Sequence, residues 1–534
     1  MVALTFGTGV VQAATFDLIE ATIPDIQLAL DTGLITSEKL VQQYLNRIEA
    51  YDEQGPALNS IIQLNPNALE TAKALDLERS QLAVRGPLHG IPILLKDNID
   101  TADLPTTAGA LILDGSVPPD DAFLTQRLRD QGAIILGKTN LTEFASFVSV
   151  TFPNGFSVVG GQTLNPYGPG IFNVSGSSSG SAVAVAANLA PIAIGTETNG
   201  SILDPASSNS VVGLKPTVGL ISRDGIIPIS ATQDTAGPIT RTVEDAAILL
   251  GTLTGIDPND PATAASAGLF FEDYTQFLNP DGLAGARLGV IRDPFISDFL
   301  AEDELLLVDQ AFTDLERLGA EIIDVELPNL DELLALDASV LVYEFNTGIE
   351  AYLGSLGENA PAATLADIVA FNQANADIAI PFGQEVLAFS LAIGGDLTDP
   401  LYLEALERDV RVTATEGVDV LLEEFDLDAL LYFDGIAAVS GAQSGYPSIS
   451  VPAGYTESGQ PLGLTFLNSA FTEPQLIELA YAYEQGTLLR VPPASTPAIS
   501  AQVSVPESGS SKALLVVTLA VAGYQLRPRK LATD

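Results

Sequence analysis

Three short segments of this chain have residue types and spacing suited to acyl-transfer chemistry. Lys96 ends the apolar run Ile91-Pro92-Ile93-Leu94-Leu95 and is followed by Asp97 and Asn98. A strand that carries this lysine into the interior desolvates its ammonium group. A buried lysine gives up its proton more readily and can act as a general base near neutral pH. Taken alone, the pattern fits better a lysine at a strand end with its head in water; the two segments below shift that reading. Residues 175–181 read SGSSSGS and residues 195–201 read GTETNGS. By composition the first resembles a linker, but it runs straight into the Ala/Val-rich stretch 181–190 and the apolar run 192–196, so a tight functional loop is the better reading. The second ends in small residues that let several backbone N–H groups converge beside Ser201. A nucleophile with such a donor nest alongside is what acyl transfer requires.

Other chemistries are excluded by what the chain lacks. It has 534 residues with no Cys and one His, which removes disulfides, thiolate metal sites, a Cys nucleophile and any site needing two histidines. The lone His89 lies among Pro87, Gly90 and Pro92, a turn context in which the ring pins backbone. Residues 132–139, GAIILGKT, satisfy the phosphate-loop pattern, yet Ala-Ile-Ile-Leu at its centre prefers an extended strand over wrapping a phosphate. With 68 acidic and 22 basic side chains the net charge is −46. That charge repels nucleic acid, and no basic patch offsets it.

The elements that must position these residues follow from periodicity. Leu40, Val41, Leu45 and Ile48 have helical spacing behind a Thr36-Ser37 cap. The runs 91–95, 133–136 and 192–196 read as buried strands. Leu141 to Phe147 shows a second helical pattern, and 181–190 is helix-prone. Short apolar strands alternate with amphipathic helices to about residue 490, the pattern of an α/β sheet covered on both faces. Acidic helices dominate 300–430, as in a more exposed lobe. Residues 1–14 resemble a secretory signal without its basic start, the alternative being an N-terminal strand. Residues 498–534 hold a Ser/Pro/Gly-rich linker, an uncharged run Ala513–Gly523 and the basic cluster Arg527, Arg529 and Lys530. This order resembles the PEP-CTERM sorting signal of bacteria and implies export, with an envelope sorting protease as partner. A short terminal helix packed on the core is the other reading.

The body, 15–497, is similar to the amidase signature family. The resemblance rests on Lys96 after its strand, the two Gly/Ser loops, and ordered blocks: TSEKLVQQYLNRIEAYD, GAIILGKTNLTEFA, VVGLKPTVGLISRDGIIPIS, QDTAGPITRTVEDAA, GYPSISVPAGY and PLGLTFLNSA. It implies a single large α/β domain with a mixed, mostly parallel sheet. It also implies Ser201 as nucleophile, Ser177 as a bridging serine after a cis peptide, Lys96 as base, and backbone N–H groups of Thr198, Asn199, Gly200 and Ser201 as the oxyanion hole. No metal or organic cofactor is implied. GTETNGSILDPAS looks most like the peptide-amidase branch, whose substrates are C-terminal peptide amides; small amides are the related class. Three departures bear on substrate. Asn199 stands where many members have Gly. Leu203 and Asp204 replace an Arg that would clamp a carboxylate. Phe156, Val158 and Val159 occupy a stretch where a Trp and an Arg are expected. Ser178 and Asp204 are the candidate substrate contacts. The rival readings are an inactive surface-displayed binding protein and the glutaminase subunit of a tRNA-dependent amidotransferase.

Overall fold

Short runs rich in Ile, Leu and Val form strands where the sequence places them. In the computed structural model these are, in chain order, β1 (Ile61–Leu64), β2 (Pro92–Lys96), β3 (Ile134–Thr139), β4 (Phe156–Ser157), β5 (Gly161–Gln162), β6 (Ile192–Glu197), β7 (Val212–Lys215), β8 (Thr235–Thr240), β9 (Arg287–Val290), β10 (Glu321–Asp324), β11 (Ala429–Phe433), β12 (Ser448–Tyr455) and β13 (Pro461–Leu467). Apart from the β4–β5 hairpin they make one eleven-stranded sheet in the order β1-β3-β2-β6-β8-β7-β12-β13-β11-β9-β10, flanked by helices. The structure describes residues 16–292, 294–296, 300–434 and 438–499. Leu18–Ile499 form one unit. The expected leader and the apolar and basic parts of the expected sorting tail lie outside the described residues.

The expected mixed sheet is present, but it is not mostly parallel. Parallel pairing is confined to β3–β2–β6 and to β11–β9–β10. Between them β8, β7, β12 and β13 pair antiparallel. Parallel neighbours need a long crossover, whereas β12 and β13 are joined by residues 456–460 alone, and so short a loop can only reverse the chain.

The parallel strands β2, β3 and β6 are buried along their whole length, as strands covered on both faces must be. Behind them packs the helix Ser179–Ala186, all of whose residues are buried. Its small side chains permit close approach. A Cβ on Gly180 would lie 2.2 Å from the Ser60 carbonyl oxygen and 2.4 Å from that of Asn140, so only glycine fits there. The helix Ser37–Arg47 starts where the sequence predicts, with Lys39 N–H donating to Thr36 Oγ1 at 3.2 Å.

The helical pattern at Leu141–Phe147 is not a helix. Only a short turn, Glu143–Ser146, forms there, and Phe144, Ala145 and Ser146 all have positive φ, 45°, 51° and 75°. Tertiary packing overrides the local pattern. Phe144 N–H donates to Ala108 O at 2.9 Å, while Phe144 and Phe147 pack on Phe345 with centroids 6.3 and 4.7 Å away. Phe345 belongs to the helix Ser339–Ser355, part of the acidic helical segment expected at 300–430. That lobe shares a hydrophobic cluster with Phe144, Phe147 and Phe152.

Candidate active site

Lys96 emerges at the end of β2 between β3 and β6 and is fully buried. Its Nζ donates to Ser177 Oγ at 2.7 Å and to the Thr196 carbonyl at 3.1 Å. Burial drives its pKa down to about 7, against the opposing pull of the nearby Glu197 and Asp234 carboxylates. A substantial share of this lysine is therefore neutral near pH 7, the state a general base needs.

Ser177 is fully buried and follows a cis peptide bond, Gly176–Ser177, the geometry that the resemblance implied. Ser201 is 6% exposed, at the turn between β6 and the helix Leu203–Ser208. The two serine loops are tied together, since Ser178 N–H donates to Ser201 O at 3.1 Å. Among the described residues no hydrogen bond joins the Ser177 and Ser201 hydroxyls directly, and such contacts often tighten only when substrate is bound.

The turn carrying Thr198, Asn199, Gly200 and Ser201 is shaped from both sides by carboxylates to which the sequence alone assigns no role. Glu197 Oε2 accepts from Ile202 N–H at 2.7 Å and Leu203 N–H at 3.0 Å, folding the chain back after Ser201. Thr198 Oγ1 donates to Asp234 Oδ1 at 2.5 Å, and Asp234 Oδ2 accepts from Ile229 and Ser230 N–H at 2.7 and 2.8 Å. Burial raises Asp234 to about 6. Gly200 has φ +78°, and a Cβ there would lie 2.6 Å from Asp204 Oδ2, so the turn requires glycine. Asn199 is exposed. A buried acid at the end of an apolar strand, as at Glu197, is the signal that could have marked this scaffold.

The two candidate substrate contacts fare differently. Ser178 is fully buried, and its hydroxyl bridges the Thr196 backbone, donating to Thr196 O at 3.0 Å and accepting from Thr196 N–H at 3.2 Å. It braces the end of β6 and is not presented to a ligand. Asp204 lies against Gly200. Its Oδ1 is buried with no hydrogen-bond partner, and burial, together with the Asp434 and Glu197 charges, pushes its pKa well up. Phe156 is half-buried in an aromatic group with Phe152 and Phe382, at 5.6 and 5.2 Å between centroids.

The two remaining sequence candidates are structural. His89 is buried, with Nε2 3.0 Å from Leu75 O and Nδ1 accepting from Arg85 N–H at 3.3 Å. Residues 134–139 of the phosphate-loop look-alike are strand β3. Lys138 Nζ is buried on Ile99 O and on Thr106 Oγ1 at 3.0 Å. Among the described residues no group of three or more His, Cys, Asp or Glu side chains is arranged to hold a metal ion.

Known proteins resemble this chain in sequence and in fold. The sequence pattern of the amidase family matches residues 39–477. An Arabidopsis thaliana protein that carries an amidase name is 43% identical over 492 residues, covering 90% of this chain and 93% of its own. The native peptide amidase of Stenotrophomonas maltophilia superposes with a TM-score of 0.84 at 48% identity, covering 89% of this chain and 98% of its own. A glutamyl-tRNA(Gln) amidotransferase subunit from Gloeothece citriformis is 35% identical over 498 residues, 88% of this chain and 98% of its own.

Proposed function

Because the chain belongs to the amidase family and hydrolyses amide C–N bonds, we propose that its substrates are C-terminal peptide amides, converted to acid and ammonia through an acyl-enzyme on Ser201. The observation that carries this reading is the buried Lys96 Nζ, 2.7 Å from Ser177 Oγ at the loop that touches Ser201.

In this mechanism Ser201 Oγ attacks the carboxamide carbon while its proton passes to Ser177, whose own proton goes to neutral Lys96. Backbone N–H groups of the 198–201 turn stabilise the oxyanion, worth about 2.7–4 kcal/mol per donor in other hydrolases. As the tetrahedral intermediate collapses, the proton returns through Ser177 to the nitrogen, and ammonia departs. Water then repeats the attack on the ester and frees the acid. Two observations support a peptide amide over an acidic substrate. The chain shares 48% identity with a peptide amidase, and Leu203 and Asp204 stand where a carboxylate-clamping Arg would be.

The test is to incubate the protein with a mixed set of C-terminally amidated peptides and small carboxamides and to follow the amide-to-acid mass shift. Conversion of peptide amides, abolished in Ser201→Ala and Lys96→Ala, is the expected result. Conversion confined to small or aryl amides would keep the mechanism and discard the peptide substrate. A folded protein that converts nothing would overturn both.

A further inference from the structure

We propose that an uncharged wall beside the Ser177 loop selects the substrate, with Phe152, Phe156 and Phe382 taking an aromatic or large aliphatic side chain within two residues of the scissile amide. This inference rests on the peptide-amide reading above and narrows it to a class of peptides.

Charge sets the wall apart. In a chain with 68 acidic and 22 basic side chains, residues 144–196 contain no Asp, Glu, Lys, Arg or His. Phe156, Val158 and Val159 belong to this stretch, where the family resemblance leads one to expect an Arg. Much of the stretch is buried, but Val150 is 83% exposed, and Phe156 is half-buried. A charged side chain laid against such a wall loses water without gaining a partner, whereas an apolar one gains by leaving water.

The wall meets the Ser177 loop at Gly176. That residue is half-buried, and a Cβ placed on it would lie 3.4 Å from Oδ1 of the exposed Asn154. Gly155 touches the same loop, since a Cβ there would lie 2.6 Å from Val174 Cγ1 and 3.3 Å from Ser179 Cβ. Phe152 and Phe156 flank this contact. Phe382 joins them from the helical lobe, with its ring 5.5 Å from Phe152 and 5.2 Å from Phe156 at interplanar angles of 71° and 82°. It is 37% exposed, so the group has an open side to which a further ring can add edge to face.

Both halves of the group are fixed in advance. Thr151 Oγ1 donates to Phe382 O at 2.9 Å, and Val150 N–H donates to Glu385 Oε1 at 2.9 Å. Around β4, Ser157 Oγ donates to Asn140 Oδ1 at 2.7 Å and Val158 N–H to Glu143 Oε2 at 2.9 Å. A surface held in this way loses little freedom when a ligand covers it.

The experiment compares four acetylated dipeptide amides, Ala-Phe, Phe-Ala, Ala-Ala and Ala-Asp, on the full chain by the amide-to-acid mass shift. At least one Phe peptide should exceed Ala-Ala roughly tenfold in kcat/KM, and Ala-Asp should be the poorest. Phe382→Ser, at a partly exposed position, should bring the Phe-over-Ala ratio below about threefold, through KM and not kcat. Phe156→Ala should lower the same ratio. Calorimetric titration of the Ser201→Ala chain with the same peptides reads the preference without turnover. No preference for Phe, or a ratio that neither substitution moves, would overturn the proposal. So would a dimer in sedimentation that Phe382→Ser dissociates, because a second copy would then cover the patch. Hydrolysis without selectivity would sink this proposal alone; a chain that hydrolyses nothing would sink the amidase reading and leave the titration to judge the wall.

Discussion

The chemistry of Lys96 is decided by the balance between burial, which expels its charge, and two acids that favour keeping it. Burial prevails and holds the group at about 7. The base must be neutral to accept a proton, so kcat/KM should be flat above about pH 7 and fall roughly tenfold per unit below it. Lys96→Arg, which cannot deprotonate in this range, should abolish turnover. Glu197→Gln removes one of the two charges that raise Lys96 and keeps an oxygen for Ile202 and Leu203 N–H. Its acid limb should therefore move to lower pH. A pH–rate profile checks both points, and an unmoved limb in Glu197→Gln would show that Glu197 does not govern the lysine. Asp204 belongs to the same scale. Its carboxyl is pushed toward the neutral form at the back of Gly200, so Asp204→Asn should change kcat/KM by less than about threefold.

At the scale of elements, the turn 198–201, which we propose holds the oxyanion, is tied to the helical lobe. Glu344, on the helix Ser339–Ser355, is 3% exposed. Its Oε1 accepts from Tyr402 OH at 2.7 Å, and its Oε2 takes Ser230 Oγ, Thr232 N–H and Thr232 Oγ1, the last two at 3.1 Å. The loop fixed in this way wraps Asp234, and Asp234 in turn holds Thr198. Glu344→Gln exchanges one acceptor oxygen for a donor and should loosen that loop. We expect kcat to drop about tenfold with KM little changed, because the oxyanion donors act mainly in the transition state. Tyr402→Phe should lose less. Binding of a peptide aldehyde, whose adduct carries the oxyanion, should weaken in parallel with kcat, whereas binding of the product acid should not. Equal weakening of both ligands would point to general damage instead.

For the whole molecule, the outstanding property is the charge of −46. Such a field draws cationic ligands inward and is screened within about 10 Å at 0.1 M salt. Peptide amides carrying several Lys or Arg should lose several-fold in kcat/KM as salt rises from about 0.05 to 0.5 M, while neutral peptides stay level. Initial rates on a matched pair of peptides decide this; parallel salt responses would remove any steering role.

The sequence by itself determined the strands that deliver Lys96, the two Gly/Ser loops, the Thr36 cap and the structural fate of His89 and of residues 132–139. Each of these depends on residues close in the chain: an apolar run must be buried, and a strand-forming run will not wrap a phosphate. The tertiary structure decided what depends on groups far apart in the chain. The pairing of β8 with β6 and of β7 with β12 follows from which edges meet, and the left-handed turn at Phe144–Ser146 follows from a partner at Phe345, about 200 residues away. Ser178 became a brace because its hydroxyl meets the backbone of Thr196. The acids behind the 198–201 turn, Glu197, Asp234 and, through its loop, Glu344, come from a strand, a loop and a distant helix. Only the closed fold removes water from around them, and the loss of water is what turns ordinary side chains into the groups that set a lysine's proton and a turn's shape.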